Sequence, residues 1–204
     1  NLYQLSWRSK FGVVYDIETL EEARRWSYGG EGWGFAYVPR ESSAQRIVDT
    51  FYMSDGSDTL RILDAESLEE IGRVHVKDGN RTVPLLNELQ FVRGELWANI
   101  WGSGFIARVD PESGRVRSWV NFQGILKAEQ VRDYPGLRVD VFNGIAFDDS
   151  IERGQRVFVT GKRWPLVFEI QVNETEPIAK SILPSKPFFY DESVVERVQA
   201  SMKF

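Results

Sequence analysis

Three tryptophans, two asparagines, a lysine and a glycine fall at two fixed steps of a pattern that recurs along this chain. Trp33, Asn87 and Asn143 open one kind of segment, and Trp7, Gly56, Trp101 and Lys162 close another. Brought to one rim, they form an aromatic wall with a few convergent polar groups, which is the make-up of a small-ligand pocket. Taken singly, each has a plainer reading. A tryptophan in β-structure is more often core than pocket, and Trp26, Trp97 and Trp119 are assigned to the core. An asparagine at a strand start often serves a neighbouring loop, and a lone lysine is ordinarily a surface residue. Their coincidence in one ring favours the pocket.

That coincidence comes from the elements that carry them. Four segments align: Leu2-Tyr3-Gln4-Leu5-Ser6-Trp7, Phe51-Tyr52-Met53-Ser54-Asp55-Gly56, Leu96-Trp97-Ala98-Asn99-Ile100-Trp101 and Val157-Phe158-Val159-Thr160-Gly161-Lys162. Each is followed by a second alternating run that ends in an acid: Asp16, Asp64, Asp110 or Glu169. Two alternating runs joined by a short polar turn make a hairpin. A further strand precedes three of the hairpins, at residues 33–37, 87–91 and 143–147, and a fourth follows at 22–27, 71–76 and 116–120. The aromatics Tyr3, Tyr52, Trp97 and Phe158 recur at steps of 49, 45 and 61 residues, with an insertion at Lys127–Arg138. Such a period predicts an all-β fold, a β-propeller of four-stranded antiparallel blades. A β-sandwich would not repeat one hairpin register four times. In a blade, the start of the first strand and the end of the second lie on the same face, so the seven residues should ring one mouth of the channel.

Composition narrows the chemistry. The 204 residues are 42% hydrophobic with a net charge of −5, and no Lys/Arg-rich run marks a nucleic-acid or anionic-membrane partner. Cysteine is absent and His75 is the single histidine. Thiolate zinc, cysteine nucleophiles and multi-histidine metal sites are thereby excluded, and neither a metal nor a cofactor is expected. No apolar run approaches the length of a membrane span. Asp55, Asp58 and Asp64 are read as turn and strand-end acids rather than a calcium site. The opening Asn1-Leu2-Tyr3-Gln4-Leu5 reads as a strand already under way.

The stretches LYQLSWRS (2–9), EGWGFAY (31–37), SDGSDTL (54–60), LNELQFVRGELWANIW (86–101), FIARVDPESG (105–114), NGIAF (143–147) and VFVTGKRWPLVFEI (157–170) resemble the plant-type glutaminyl cyclases in content and order. The resemblance runs over about residues 2–170 and implies a five-bladed propeller, of which this chain supplies about three and a half to four blades. It implies a metal-independent glutaminyl-peptide cyclotransferase, acting on peptides or proteins with an N-terminal glutamine. By position, Trp7, Trp33 and Trp101 match the family's aromatic pocket. Asn87 matches its pocket asparagine and Lys162 its TGK lysine. Asn143 joins the substrate-binding set by its place in the repeat. Lys162 or Asn87 would stabilise the oxyanion of the tetrahedral intermediate. The tryptophans would hold the substrate amine and its stem.

The resemblance also sets expectations about what is missing. The family's proton-shuttling glutamate lies in a GEG motif upstream of Asn1, so an upstream segment or a second chain is expected to complete the ring. Glu88 sits one step off the pocket register and is expected to face away from the channel. Gly102-Ser103-Gly104 replaces a polar triplet of the family. A secretory or periplasmic location is implied. The expected division is a propeller over 1–172 and a C-terminal extension over 173–204, with a strand at 178–183 and a short helix at 191–202. The alternative function is a non-catalytic propeller that binds peptides or a partner protein.

Overall fold

Alternation along the chain becomes antiparallel sheets in the computed structural model, which describes residues 1–40, 48–150 and 155–172. The first sheet joins β1 (Leu2–Leu5), β2 (Phe11–Tyr15) and β3 (Glu22–Ser27). The second runs in order through β4 (Phe35–Val38), β5 (Thr50–Met53), β6 (Thr59–Asp64) and β7 (Glu70–His75). A two-residue hairpin of β8 (Lys77–Asp78) and β9 (Arg81–Thr82) follows. The third sheet is β10 (Leu86–Val92), β11 (Glu95–Ile100), β12 (Phe105–Val109) and β13 (Val116–Asn121). After the short helix α1 (Ala128–Arg132), the fourth sheet is β14 (Phe142–Asp148), β15 (Arg156–Gly161) and β16 (Phe168–Ile170).

These are propeller blades, as the repeat predicts. Sequential strands pair with their neighbours, two blades carry all four strands, and α1 falls inside the predicted insertion. The β8–β9 hairpin has no counterpart in the sequence pattern, since two-residue strands leave no period to read. The chain divides into two compact units, Asn1–Ile170 and Gln171–Phe204. The expected extension at 173–204, with its strand and helix, lies outside the described residues. Among the described residues, no helix is long and apolar enough to cross a membrane.

The acids that end the second hairpin strands close their turns by one device. Asp16, Asp64 and Asp110 each accept, on Oδ1, the amides two and three residues ahead, at 2.7–3.1 Å. A left-handed residue then turns the chain: Leu20 (φ 57), Leu68 (φ 63) or Gly114 (φ 69). The pattern Asp-x-Glu-Ser/Thr is thus a local turn instruction issued three times.

Blades pack face to face. Val14, Tyr28, Phe51, Met53, Leu63 and Leu68 are buried together, with Tyr3, Leu5, Trp26 and Phe35 against them. Phe35 stacks on Phe51 at 4.3 Å. All six residues of β11 are buried, because this strand is covered on both faces. Polar ties join the blades: Tyr52 Oη donates to the Pro111 carbonyl at 2.7 Å, and Ser54 Oγ to the Asn87 carbonyl at 2.6 Å. Trp97 is buried as expected, while Trp26 and Trp119 are half-buried. Trp26 lies over Gly12, where a Cβ would come within 2.1 Å of the ring.

Candidate functional site

The site is built from a kink repeated at the start of each inner strand. In β10, Leu86 pairs with Ile100 and Leu89 with Ala98, so Asn87 and Glu88 both stand opposite Asn99. In β14, Phe142 pairs with Gly161 and Gly144 with Thr160, so Asn143 is the extra residue. Before β4, Trp33 N–H donates to the Ser54 carbonyl and Ser54 N–H to the Gly34 carbonyl, the same two-against-one arrangement. Trp33, Asn87 and Asn143 are therefore the first residues of three β-bulges, a device that re-aims side chains beside a site. Their equivalence, read from the repeat, holds in the hydrogen bonds.

The second half of the set follows in the same way. Trp101 N–H donates to the Leu85 carbonyl, and Lys162 N–H to the Val141 carbonyl, two residues before the first residue of each bulge. Across blades, Gly32 N–H donates to the Trp7 carbonyl and Gly56 N–H to the Leu86 carbonyl. At these two junctions the end of a second strand is thus tied to the start of the next blade, and at the third the Asn99 side chain makes the link to the Phe142 carbonyl.

Trp7, Trp33 and Trp101 form one wall. Trp33 and Trp101 lie 6.4 Å apart at 58°. Trp33 leans on Gly56, where a Cβ would sit 2.7 Å from the ring and the backbone is left-handed (φ +84). Only glycine suits that spot. Trp7 and Trp33 both donate their indole N–H to Glu31 Oε2, at 2.6 and 2.8 Å.

Asn87 is 8% exposed and donates Nδ2–H to Asn99 Oδ1 at 3.1 Å. Asn99, fully buried, passes the chain on to the Phe142 carbonyl at 2.9 Å. A buried amide network of this kind holds its members in one orientation. Gly34 permits it, since a Cβ there would meet the Asn87 carbonyl at 2.1 Å.

Lys162 lies at the matching rung of the next blade, 61% exposed, with Nζ 3.5 Å from Asp140 Oδ2. Among the described residues, its ammonium is engaged with Asp140 and not with the tryptophan wall. The Asp140 carboxyl is held below its ordinary range, first by the Val141 amide and then by Lys162. Asn143 is half-exposed at its bulge.

Glu88 corrects an expectation. Leu86 and Leu89 share a face with their partners across the strand, and side chains alternate, so Asn87 and Glu88 both project to the opposite face. The bulge returns Glu88 to the face of Asn87 instead of turning it away. Glu88 makes no hydrogen bond or ion pair among the described residues, and burial pushes its pKa up to about 7. The other two bulges carry glycine at this step, Gly34 and Gly144.

Two residues of this cluster carry no sequence signal of their place in it. Glu31, two residues before Trp33 in EGWG, has the sequence signature of an ordinary surface acid. Asn99 read as an ordinary strand residue, and only a bulge opposite it reveals its role. His75, on the outermost strand of its blade, meets Thr59 Oγ1 at 3.0 Å and is 64% exposed, away from this mouth. Asp55 and Asp64 close turns on Ser57 and Ser67, as read.

A sequence profile of the family described as glutamine cyclotransferase matches residues 1–172. The chain belongs to the glutamine cyclotransferase family. It is 31% identical to a glutaminyl-peptide cyclotransferase of Arabidopsis thaliana over 174 residues, 85% of this chain and 50% of the relative. This family member thus spans about half the length of that curated relative. It is also similar to the crystal structure of Myxococcus xanthus glutaminyl cyclase, with a TM-score of 0.68, 30% identity, and coverage of 83% of this chain and 67% of that one.

Proposed function

We propose that the protein is a glutaminyl-peptide cyclotransferase, which converts the N-terminal glutamine of peptides or proteins to pyroglutamate with release of ammonia. The observation that carries this reading is the tryptophan wall beside a bulge-held asparagine, in a chain of the glutamine cyclotransferase family. The reaction needs an intramolecular attack: the α-amine nitrogen bonds to the side-chain amide carbon, and the amide nitrogen leaves as ammonia. Catalysis is then largely a matter of holding the folded conformer. Trp7, Trp33 and Trp101 offer ring faces to the substrate amine and its stem, with Asn143 as a further polar contact. Asn87 and Lys162 serve as donors to the oxyanion of the tetrahedral intermediate. The Lys162–Asp140 pair is exposed, so little energy opposes its swing toward substrate.

The reading extends to assembly and location. The propeller occupies 1–172 with 173–204 as an extension, and the full ring has five blades. The open edge of β1 takes a strand from an upstream segment or a second chain, which also brings the proton-shuttling glutamate. The protein works in the secretory pathway or periplasm, without a metal.

The test is mass spectrometry of a glutamine-initiated peptide incubated with the full-length protein. Loss of one ammonia above the spontaneous rate is expected. Lys162→Ala or Asn87→Ala should cut that rate by roughly 10²–10³-fold, the usual cost of an oxyanion donor. No enzyme-dependent loss, or two variants as fast as wild type, would sink the assignment.

A further inference from the structure

We infer that Glu31 is the positioning residue of the tryptophan wall, a carboxylate that locks two of its three indoles by taking both their N–H groups on one oxygen. The inference rests on the cyclotransferase reading for its kinetic consequence, though not for its geometry.

Both bonds end on Glu31 Oε2, 2.6 Å from Trp7 Nε1 and 2.8 Å from Trp33 Nε1. Hydrogen bonds to an ionised acceptor are shorter and about twice as strong as neutral ones. The two tryptophans come from different blades, Trp7 after β1 and Trp33 before β4. Nothing local relates them, so the shared oxygen sets the angle between their rings. The lock matters most for Trp7, which is 54% exposed and has little packing to hold it. The Arg8 guanidinium covers one Trp7 face at 4.0 Å, and Arg8 Nε lies 4.0 Å from Glu31 Oε1. Trp33 is held on its other side by Gly56.

The arrangement also decides what the walls can recognise. With both N–H groups occupied, Trp7 and Trp33 present π faces and no donors. Such walls favour a cationic amine or an apolar stem over a carbonyl acceptor. The second carboxylate oxygen faces Arg8, whose cation offsets its charge and covers one face of Trp7, so the open ring faces are what a ligand meets. An N-terminal glutamine, with its α-amine on Cα and two methylenes leading to the side-chain amide, offers such walls an amine and an apolar stem.

The experiment pairs spectroscopy with kinetics on the full-length protein. In a ¹H–¹⁵N spectrum, two indole resonances, assigned through Trp7→Phe and Trp33→Phe, should lie downfield of the rest. Glu31→Ala should move both upfield together, while the isosteric Glu31→Gln should move them part of the way. For a glutamine-initiated peptide, Glu31→Ala should raise KM about tenfold with kcat within roughly twofold, and Glu31→Gln about threefold, as expected for one or two charge-assisted bonds shared between two walls. Unmoved indole resonances in Glu31→Gln, which preserves shape and folding, would overturn the lock. A fall in kcat at unchanged KM would overturn the positioning role. If wild type releases no ammonia, the cyclotransferase reading fails separately, and the two resonances still decide on the lock.

Discussion

Glu88→Gln should stabilise the protein at pH 8 and leave it nearly unchanged at pH 4. Glu88 is half-buried beside Asn87, without a hydrogen bond or ion pair among the described residues, and desolvation raises its pKa from 4.5 to about 7. The sign follows from proton counting. Between about pH 4.5 and pH 7 the folded state keeps a proton that the unfolded chain has released, so stability falls as pH rises through that window. Below it both states are protonated, and above it the full cost of a buried charge is felt. A shift of about 2.5 pH units at ~1.4 kcal/mol each gives on the order of 3 kcal/mol. Residual solvent contact trims this to about 2 kcal/mol. Glutamine fills the same volume and carries no charge at any of these pH values. Urea unfolding of wild type and variant, from pH 4 to pH 8, would read the difference directly. The two stability curves should coincide near pH 4 and diverge to about 2 kcal/mol by pH 8. A gap independent of pH, or a variant less stable at pH 8, would refute the reasoning.

Gly34→Ala should destabilise by roughly 1–3 kcal/mol and slow turnover, because its Cβ would meet the Asn87 carbonyl at 2.1 Å; thermal melts and ammonia release check both. Leu20→Gly should stabilise by about 0.5–1 kcal/mol, since Leu20 is exposed at φ 57 and Gly114 fills the same turn position without strain. Burial alone would raise the Asp110 carboxyl, but the Ser113 amide and hydroxyl together with Arg117 outweigh it and hold the group down at about 2. Its stability contribution is therefore present above about pH 4 and lost as pH falls toward 2. Asp110→Ala should cost about 1–2 kcal/mol at pH 7 and merge with wild type near pH 2, as followed by acid-dependent unfolding.

Much of the site was legible because a propeller repeats itself. Aligning hairpins places residues at matching steps before any contact is known, so Trp33, Asn87 and Asn143 could be grouped from spacing alone. The three Asp-closed turns were likewise visible, since an Asp oxygen reaches the amides two and three residues ahead without outside help. What alignment cannot see is a bulge. One extra residue leaves the sequence pattern almost untouched but moves Glu88 to the face of Asn87. The same limit hid Asn99, whose importance lies in standing opposite two residues instead of one.

The sequence by itself determined the strand periods, the turns, the blade repeat and the residue types at the mouth, all of which depend on neighbours within a few positions. Tertiary structure alone decided which atoms share a partner. Glu31 lies 24 residues from Trp7 and two from Trp33, and its oxygen serves both because two blades bring their rims together. Lys162 likewise meets Asp140 across the ends of the fourth blade. Local sequence sets which groups are available, but distances across blades come from packing whole sheets, to which no short window of sequence has access.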